Sequence, residues 1–319
     1  MNTIENIKLN NLTLLILLIY GLAACDSISE KTYDNSIEEN ISDHFPTHKA
    51  LLASRINSLD SLKKIISIEY FPKDASNETP NIHVKLTYTS GGEDITAVLE
   101  EGINQSEIVN ARDGSLLDKM FLLLNSPYSI KHRDDFKKIY ILARRRRHLY
   151  GDLDKAFYDI ALASVKKINT INKAYLTIRD SSERGYVNTF NHVTSQAIIT
   201  SIFGQEKAAF IADVHERYNM PQLISRHQID SLLAEGHEKG IIDNYVDIVN
   251  NKIGQQLGIY LAKKYNIHRN TNWSHQLLAE YLNDINHYYR LKFGIGMNSF
   301  SKNEELIALF SKKINNTIN

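Results

Sequence analysis

Three stretches of the chain place histidines, carboxylates and amides at helical spacing, where a plain core would carry apolar side chains. Over 187–203, Phe190, Val193, Ala197 and Ile198 mark an apolar side, and Asn188, His192, Ser195 and Gln196 share an adjoining face. Over 205–218, Ala208, Ile211 and Ala212 form a stripe that His215 continues, with Asp213 and Glu216 on a neighbouring face. A histidine on such a stripe requires a partner, because an unpaired buried polar group costs on the order of 1–3 kcal/mol. Over 242–265, Asp247, Asn250, Asn251 and Gly254 line one face that Gly258 extends, beside an apolar stripe of Val249, Ile253, Leu257 and Leu261. Two glycines inside a helix each cost about 1 kcal/mol relative to alanine. They are tolerable where a neighbouring helix or a ligand must come close to the backbone.

Two chemistries suit these residues. In the first, His192, Asp213, His215 and Asp247 converge on one divalent cation such as zinc, which lowers the pKa of its bound water and supplies a nucleophile. Glu216 is then the general base or an orienting group, and Asn250 and Asn251 position substrate or stabilise developing charge. Such a site requires the two imidazoles and the Asp247 carboxylate within about 8 Å of one another, since metal–ligand bonds are near 2 Å. In the second, the same groups are a satisfied buried network that fixes helix register. Position 219 is asparagine, so the His-Glu-x-x-His pattern of zinc proteases is absent. No Gly-x-Ser-x-Gly motif occurs either.

These stretches belong to a long helical region. Candidate helices cover 115–125, 131–149, 152–179, 187–203, 205–218, 225–238, 242–265, 273–291 and 302–315, and residues 111–319 read as one helical domain. Trp273 and the tyrosines from Tyr281 to Tyr289 read as aromatic core and surface. The run Arg144–Arg147 falls inside the second helix, as a solvated face or a patch for anionic headgroups. Residues 51–110 read as a small α/β element. Leu52, Ile56, Leu59, Leu62, Ile65 and Ile66 keep helical spacing, and Pro72 and Pro80 punctuate a loop. Ile82, Val84, Leu86 and Tyr88 then alternate as a strand, and Ser90-Gly91-Gly92 turns it back through Ile95 to Leu99. The expected fold is mainly α, a helical bundle with a small N-terminal α/β element.

The beginning of the chain has a different character. An apolar run from Leu12 to Leu22 is too short to cross a bilayer, which takes about 20 such residues. It suits the core of an export signal over residues 1–24. The signal closes on Leu22-Ala23-Ala24-Cys25, which resembles the lipobox of bacterial lipoproteins. That resemblance implies cleavage before Cys25, acylation of its thiol and anchorage in the bilayer facing the periplasm. Asp26, by the same resemblance, implies retention in the inner membrane of an enteric-type cell. Cys25 is the single cysteine of 319 residues, so no intrachain disulfide forms. Residues 25–50, with Asp26, Glu30, Asp34, Glu38, Glu39 and Asp43 against Lys31 and Lys49, read as a flexible acidic tether.

The whole chain is 43% apolar and 23% charged, the composition of a core-forming soluble body. Basic and acidic residues balance at 37 each, so no global charge favours a nucleic-acid partner. The blocks Asn188-Thr189-Phe190-Asn191-His192-Val193, Asp213-Val214-His215-Glu216 and Asp247-Ile248-Val249-Asn250-Asn251-Lys252-Ile253-Gly254 resemble an uncharacterised bacterial domain family found in secreted and surface-attached proteins. Its pattern has aspartate and arginine where Asn188 and Asn191 stand here. The resemblance spans roughly residues 115–265 and implies a helical fold outside the cytoplasm, with no established activity. A lipoprotein with a binding or envelope-associated role, for which an envelope protein is the partner, is therefore one expectation. A metal-dependent hydrolase of phospholipids or phosphodiesters is the other.

Overall fold

The computed structural model describes residues 45–72, 81–169 and 177–319. The expected leader, Cys25, Asp26 and the tether up to residue 44 lie outside these residues, as do the loop before Pro80 and part of the helix expected over 152–179. The described chain begins with α1 (Leu59–Lys63), β1 (Ile66–Pro72), β2 (Asn81–Ser90) and β3 (Glu93–Glu100). Helices then follow, with no further strand among the described residues: α2 (Gln105–Asp113), α3 (Leu116–Asn125), α4 (Pro127–Lys131), α5 (Arg133–Ala143), α6 (Arg147–Tyr150) and α7 (Phe157–Lys167). The second half holds α8 (Tyr186–Phe203), α9 (Gln205–Asn219), α10 (Arg226–Ala234), α11 (Glu238–Lys264), α12 (His275–Phe293) and α13 (Glu305–Ile318). The fold is mainly α with a small three-stranded sheet, as the patterning predicts.

The centre is a helix pair. On α8, buried residues such as Tyr186, Phe190, Val193, Ile198 and Ile202 occur all round the axis, the mark of a helix that runs through a core. Against it lies α11, and the two backbones nearly touch. A Cβ at Gly254 would stand 2.6 Å from the Val193 carbonyl oxygen, and one at Gly258 2.5 Å from that of Ala197. The Ser201 hydroxyl donates to the Gly258 carbonyl at 2.8 Å across the same crossing. Trp273, Tyr281, Tyr288 and Tyr289 are fully buried around this pair, and the Tyr289 ring stacks on Phe190 at 3.7 Å. The C-terminal aromatics are therefore core.

The sheet is antiparallel in the order β1-β2-β3, with Ile66 opposite Tyr88 and Val84 opposite Leu99. Gly91 and Gly92 turn β2 into β3 with φ of +67° and +83°, the conformation a tight hairpin requires. The Tyr70 and Tyr245 hydroxyls, 2.7 Å apart, join the sheet to α11. Sheet and helices form one compact unit over His44–Asn319, so no domain boundary falls near residue 110.

Several expectations need correction. The helical spacing over Leu51–Ile68 yields only a 3-10 turn at Ala53–Arg55 and the short α1, and Ile66 onward is strand β1, because Ile66, Ile68 and Tyr70 alternate with Ser67 and Glu69 opposite β2. Residues 45–50, read as tether, are packed: Phe45 meets Tyr260 and Tyr288, and His48 and Ala50 are buried. The helix expected over 131–149 breaks at Arg144. There the buried Lys313 ammonium takes the Arg144 carbonyl at 2.8 Å, the Lys155 carbonyl at 2.6 Å and the Asp154 carboxylate at 2.9 Å. Those demands draw the backbone out of the helix, and the Arg146 N–H also donates to Asp154. Helices α2 and α4 were not legible from periodicity. Local chemistry starts them, a capping box of Asn104 with Glu107 for α2 and Ser126 with Pro127 for α4. No helix among the described residues is long and apolar enough to cross a membrane.

Candidate functional site

The close crossing of α8 and α11, with α9 beside them, brings the polar residues of all three helices together. Asn188 and His192 come from α8, Glu216 from α9, and Asp247 and Asn251 from α11. The Asn188 side-chain amide donates to Asp247 Oδ1 at 2.9 Å. Asp247 Oδ2 lies 3.4 Å from His192 Nε2. His192 Nδ1 is 2.8 Å from Asn251 Oδ1, and Asn251 Nδ2 donates to Glu216 Oε1 at 3.0 Å. One chain of polar contacts thus runs Asn188–Asp247–His192–Asn251–Glu216 and stitches the three helices. Asp247, Asn251 and Glu216 are buried.

Burial and crowding displace the titrations of these groups. Burial pushes the Glu216 carboxyl up to about 8, with the His192 charge opposing and Asp247 and Asp213 adding repulsion. Burial likewise raises Asp247, although His192 and the Asn188 hydrogen bond favour its ionised form. His192 is driven down by burial and up by Asp247 and Glu216, and the carboxylates prevail. Asp243, one turn before Asp247, is pushed up to about 7 by burial and then by Asp247, against the guanidinium of Arg184 at 3.4 Å. Neither Glu216 Oε2 nor Asp243 Oδ1 has a hydrogen-bond partner among the described residues.

His215 stands at the edge of this network. Its ring centroid is 6.4 Å from that of His192, within the distance a shared cation demands. Its nitrogens face other groups, Nδ1 the Gln105 side chain at 3.1 Å and Nε2 the Asn219 amide at 3.1 Å. Burial, then His192 and Arg144, hold it down to about 4, so it is neutral across the physiological range. Asp213 is half-buried on α9 and acts on the site through its repulsion of Glu216. Among the described residues, no group of three or more His, Cys, Asp and Glu side chains is arranged to hold a metal ion.

Asn250 does not join Asn251. Its Oδ1 accepts from the Leu51 N–H at 2.8 Å and its Nδ2 donates to the Leu51 carbonyl at 3.0 Å, so the amide clamps the N-terminal segment at two points. Thr189 on α8 donates to the same carbonyl at 2.8 Å. Sequence reasoning also missed Asp243, which the four-residue step back from Asp247 would have found, and the partners Gln105 and Asn219, which no spacing reveals. No family model, curated protein or solved structure matches the chain.

Proposed function

We propose that this chain is a membrane-anchored extracytoplasmic lipoprotein whose helical body has a binding or envelope-associated role, held in shape by the polar network. The commitment of both imidazoles to protein partners carries the reading. His192 is engaged by Asn251 and Asp247, and His215 by Gln105 and Asn219, so all four ring nitrogens are committed within the protein. The Leu22-Ala23-Ala24-Cys25 sequence supports the anchor, since two or three acyl chains hold a protein at a bilayer where one does not. Mass spectrometry of membrane-extracted protein should find an N-terminus at Cys25 carrying thioether-linked lipid, absent from Cys25→Ala. An unmodified N-terminus upstream of Cys25 would overturn the anchor.

A second reading, hydrolysis of phospholipid or phosphodiester substrates with a divalent metal, draws support from the unpartnered Glu216 Oε2 and Asp243 Oδ1. His192, Asp213, His215 and Asp247 would hold the cation, which lowers the pKa of bound water. Glu216, protonated near neutrality, has the titration a general acid–base group uses. Here about one equivalent of zinc or another transition metal should copurify, with turnover lost in His215→Ala and Asp247→Ala. Metal-free protein, with both variants changed only in melting temperature, sinks this second reading.

A further inference from the structure

Helix α3 is an anomaly on the surface. Its buried side is Leu122, set against Ala111 of α2 and Val214 of α9. The opposite side is also apolar: Leu117, Phe121 and Leu124 fall within about 60° of arc on the helix. They are 74%, 61% and 80% exposed, and Leu116 beside them is 69% exposed. A helix on a soluble body keeps polar groups there, and contiguous exposed apolar groups mark an interaction surface. The helix is firmly placed. At its α2 corner a Cβ on Gly114 would stand 2.5 Å from both the Asn110 carbonyl oxygen and Asp118 Oδ2, so that turn admits little variation.

The surroundings are cationic. Arg112 at the end of α2 and Arg146 both lie over the Tyr140 ring, 5.8 and 4.2 Å from its centroid, which brings the arginine run beside the α2–α3 corner. Arg145 is tied to Asp159, whereas Arg144, Arg146 and Arg147 pair with no carboxylate among the described residues. The acidic groups of the corner are occupied, Asp113 by Arg112 and Asp118 by the Ser115 N–H and hydroxyl. Lys119 on α3 is exposed, as are Leu149 and Leu153 just beyond the arginines.

An apolar helix face bordered by unpaired arginines is the composition of a helix that lies in a membrane interface, where anionic headgroups attract the cations. We propose that the exposed face of α3 and the Arg144–Arg147 run form a docking surface for an anionic lipid bilayer, with α3 lying flat at headgroup level. The unpaired cations favour a lipid surface over a second copy, since two such rims would repel. The inference deepens the anchored reading and rests on it for access to a bilayer. Twenty residue steps separate Cys25 from Phe45, a reach of at most about 70 Å.

The test is vesicle sedimentation of the chain from Asp26 onward, which lacks the leader and Cys25 and contains the whole compact unit. It should bind phosphatidylglycerol vesicles, release them as salt rises, and leave phosphatidylcholine vesicles in solution. The triple variant Leu117→Ser, Phe121→Ser, Leu124→Ser should bind about tenfold more weakly with unchanged helicity and melting, since exposed side chains hold no core. Arg144→Gln with Arg147→Gln should lose the preference for the anionic lipid. Absence of vesicle binding, or equal binding by the triple variant, overturns the proposal. So does a wild-type dimer that the triple variant converts to monomer, which would assign the face to a second copy. Because this protein carries no Cys25, a failed anchor leaves the measurement unaffected, and failure here leaves the anchor standing.

Discussion

His192 is surrounded by more carboxyl groups than it can neutralise, and that imbalance has a consequence for stability. Glu216 titrates near 8 in the folded protein against an ordinary value of 4.5, so between those limits the native state keeps a proton that the unfolded chain has lost. Stability therefore falls as pH rises through that window, by up to about 1.4 kcal/mol per pH unit for one proton. Asp243, raised to about 7, and His192, also raised, act in the same direction. His215, lowered to about 4, acts oppositely: its contribution is complete above 6.5 and is lost as pH falls towards 4. The urea midpoint should accordingly drop between about pH 6 and 8, and Glu216→Gln should flatten that slope. An unchanged slope would show Glu216 already ionised in the native state. The site was partly legible at this scale. Spacing placed His192, Glu216, Asp247 and Asn251 on faces that do meet. It grouped Asn250 with them because neighbouring positions on a helix differ by about 100°, too little for a pattern to say which neighbour each will reach.

The helix pair of α8 and α11 is where sequence and architecture agree best. Both helices end within a few residues of their expected limits, since each has a long, strongly apolar stripe and the pair buries it. Gly254 and Gly258 permit a close approach, and Val193 and Ala197 supply it. Gly254→Leu should destabilise the protein beyond the 1–3 kcal/mol typical of overpacking, about 3 kcal/mol or more, because the clash is with backbone rather than a movable side chain. Chemical denaturation measures this directly, and stability within error of the parent would mean that the two helices can separate without loss. Elements set by distant partners were less legible. The break at Arg144 depends on Lys313, 169 residues further on, and β1 depends on its pairing with β2 and not on its own helical spacing.

Over the whole molecule, the sheet and the helices share one core, so the small α/β portion is no separate module. Mean composition and periodicity could indicate a helical body but not that its first described segment would be buried against α8, α11 and α12. That segment is held from two sides: the hairpin contributes the Tyr88 hydroxyl to the Lys49 carbonyl, Ser90 to the Lys49 N–H and Glu93 to Thr47 and His48, and the helices contribute the rest. The Tyr288 hydroxyl donates to the His48 carbonyl and receives the Ala50 N–H, Lys292 donates to the Thr47 carbonyl, and Asn250 grips Leu51 at both ends of its peptide groups. Were the body hung from its N-terminus, as proposed, these contacts would define a load path. Tension arriving at Phe45 would be borne first by Asn250 near the middle of α11, by Tyr288 and Lys292 towards the end of α12 and by the β2–β3 hairpin, loaded together as a shear joint. Helix α3, which takes no part in these bonds, would hang behind that joint, as cargo hangs below a bolted shackle.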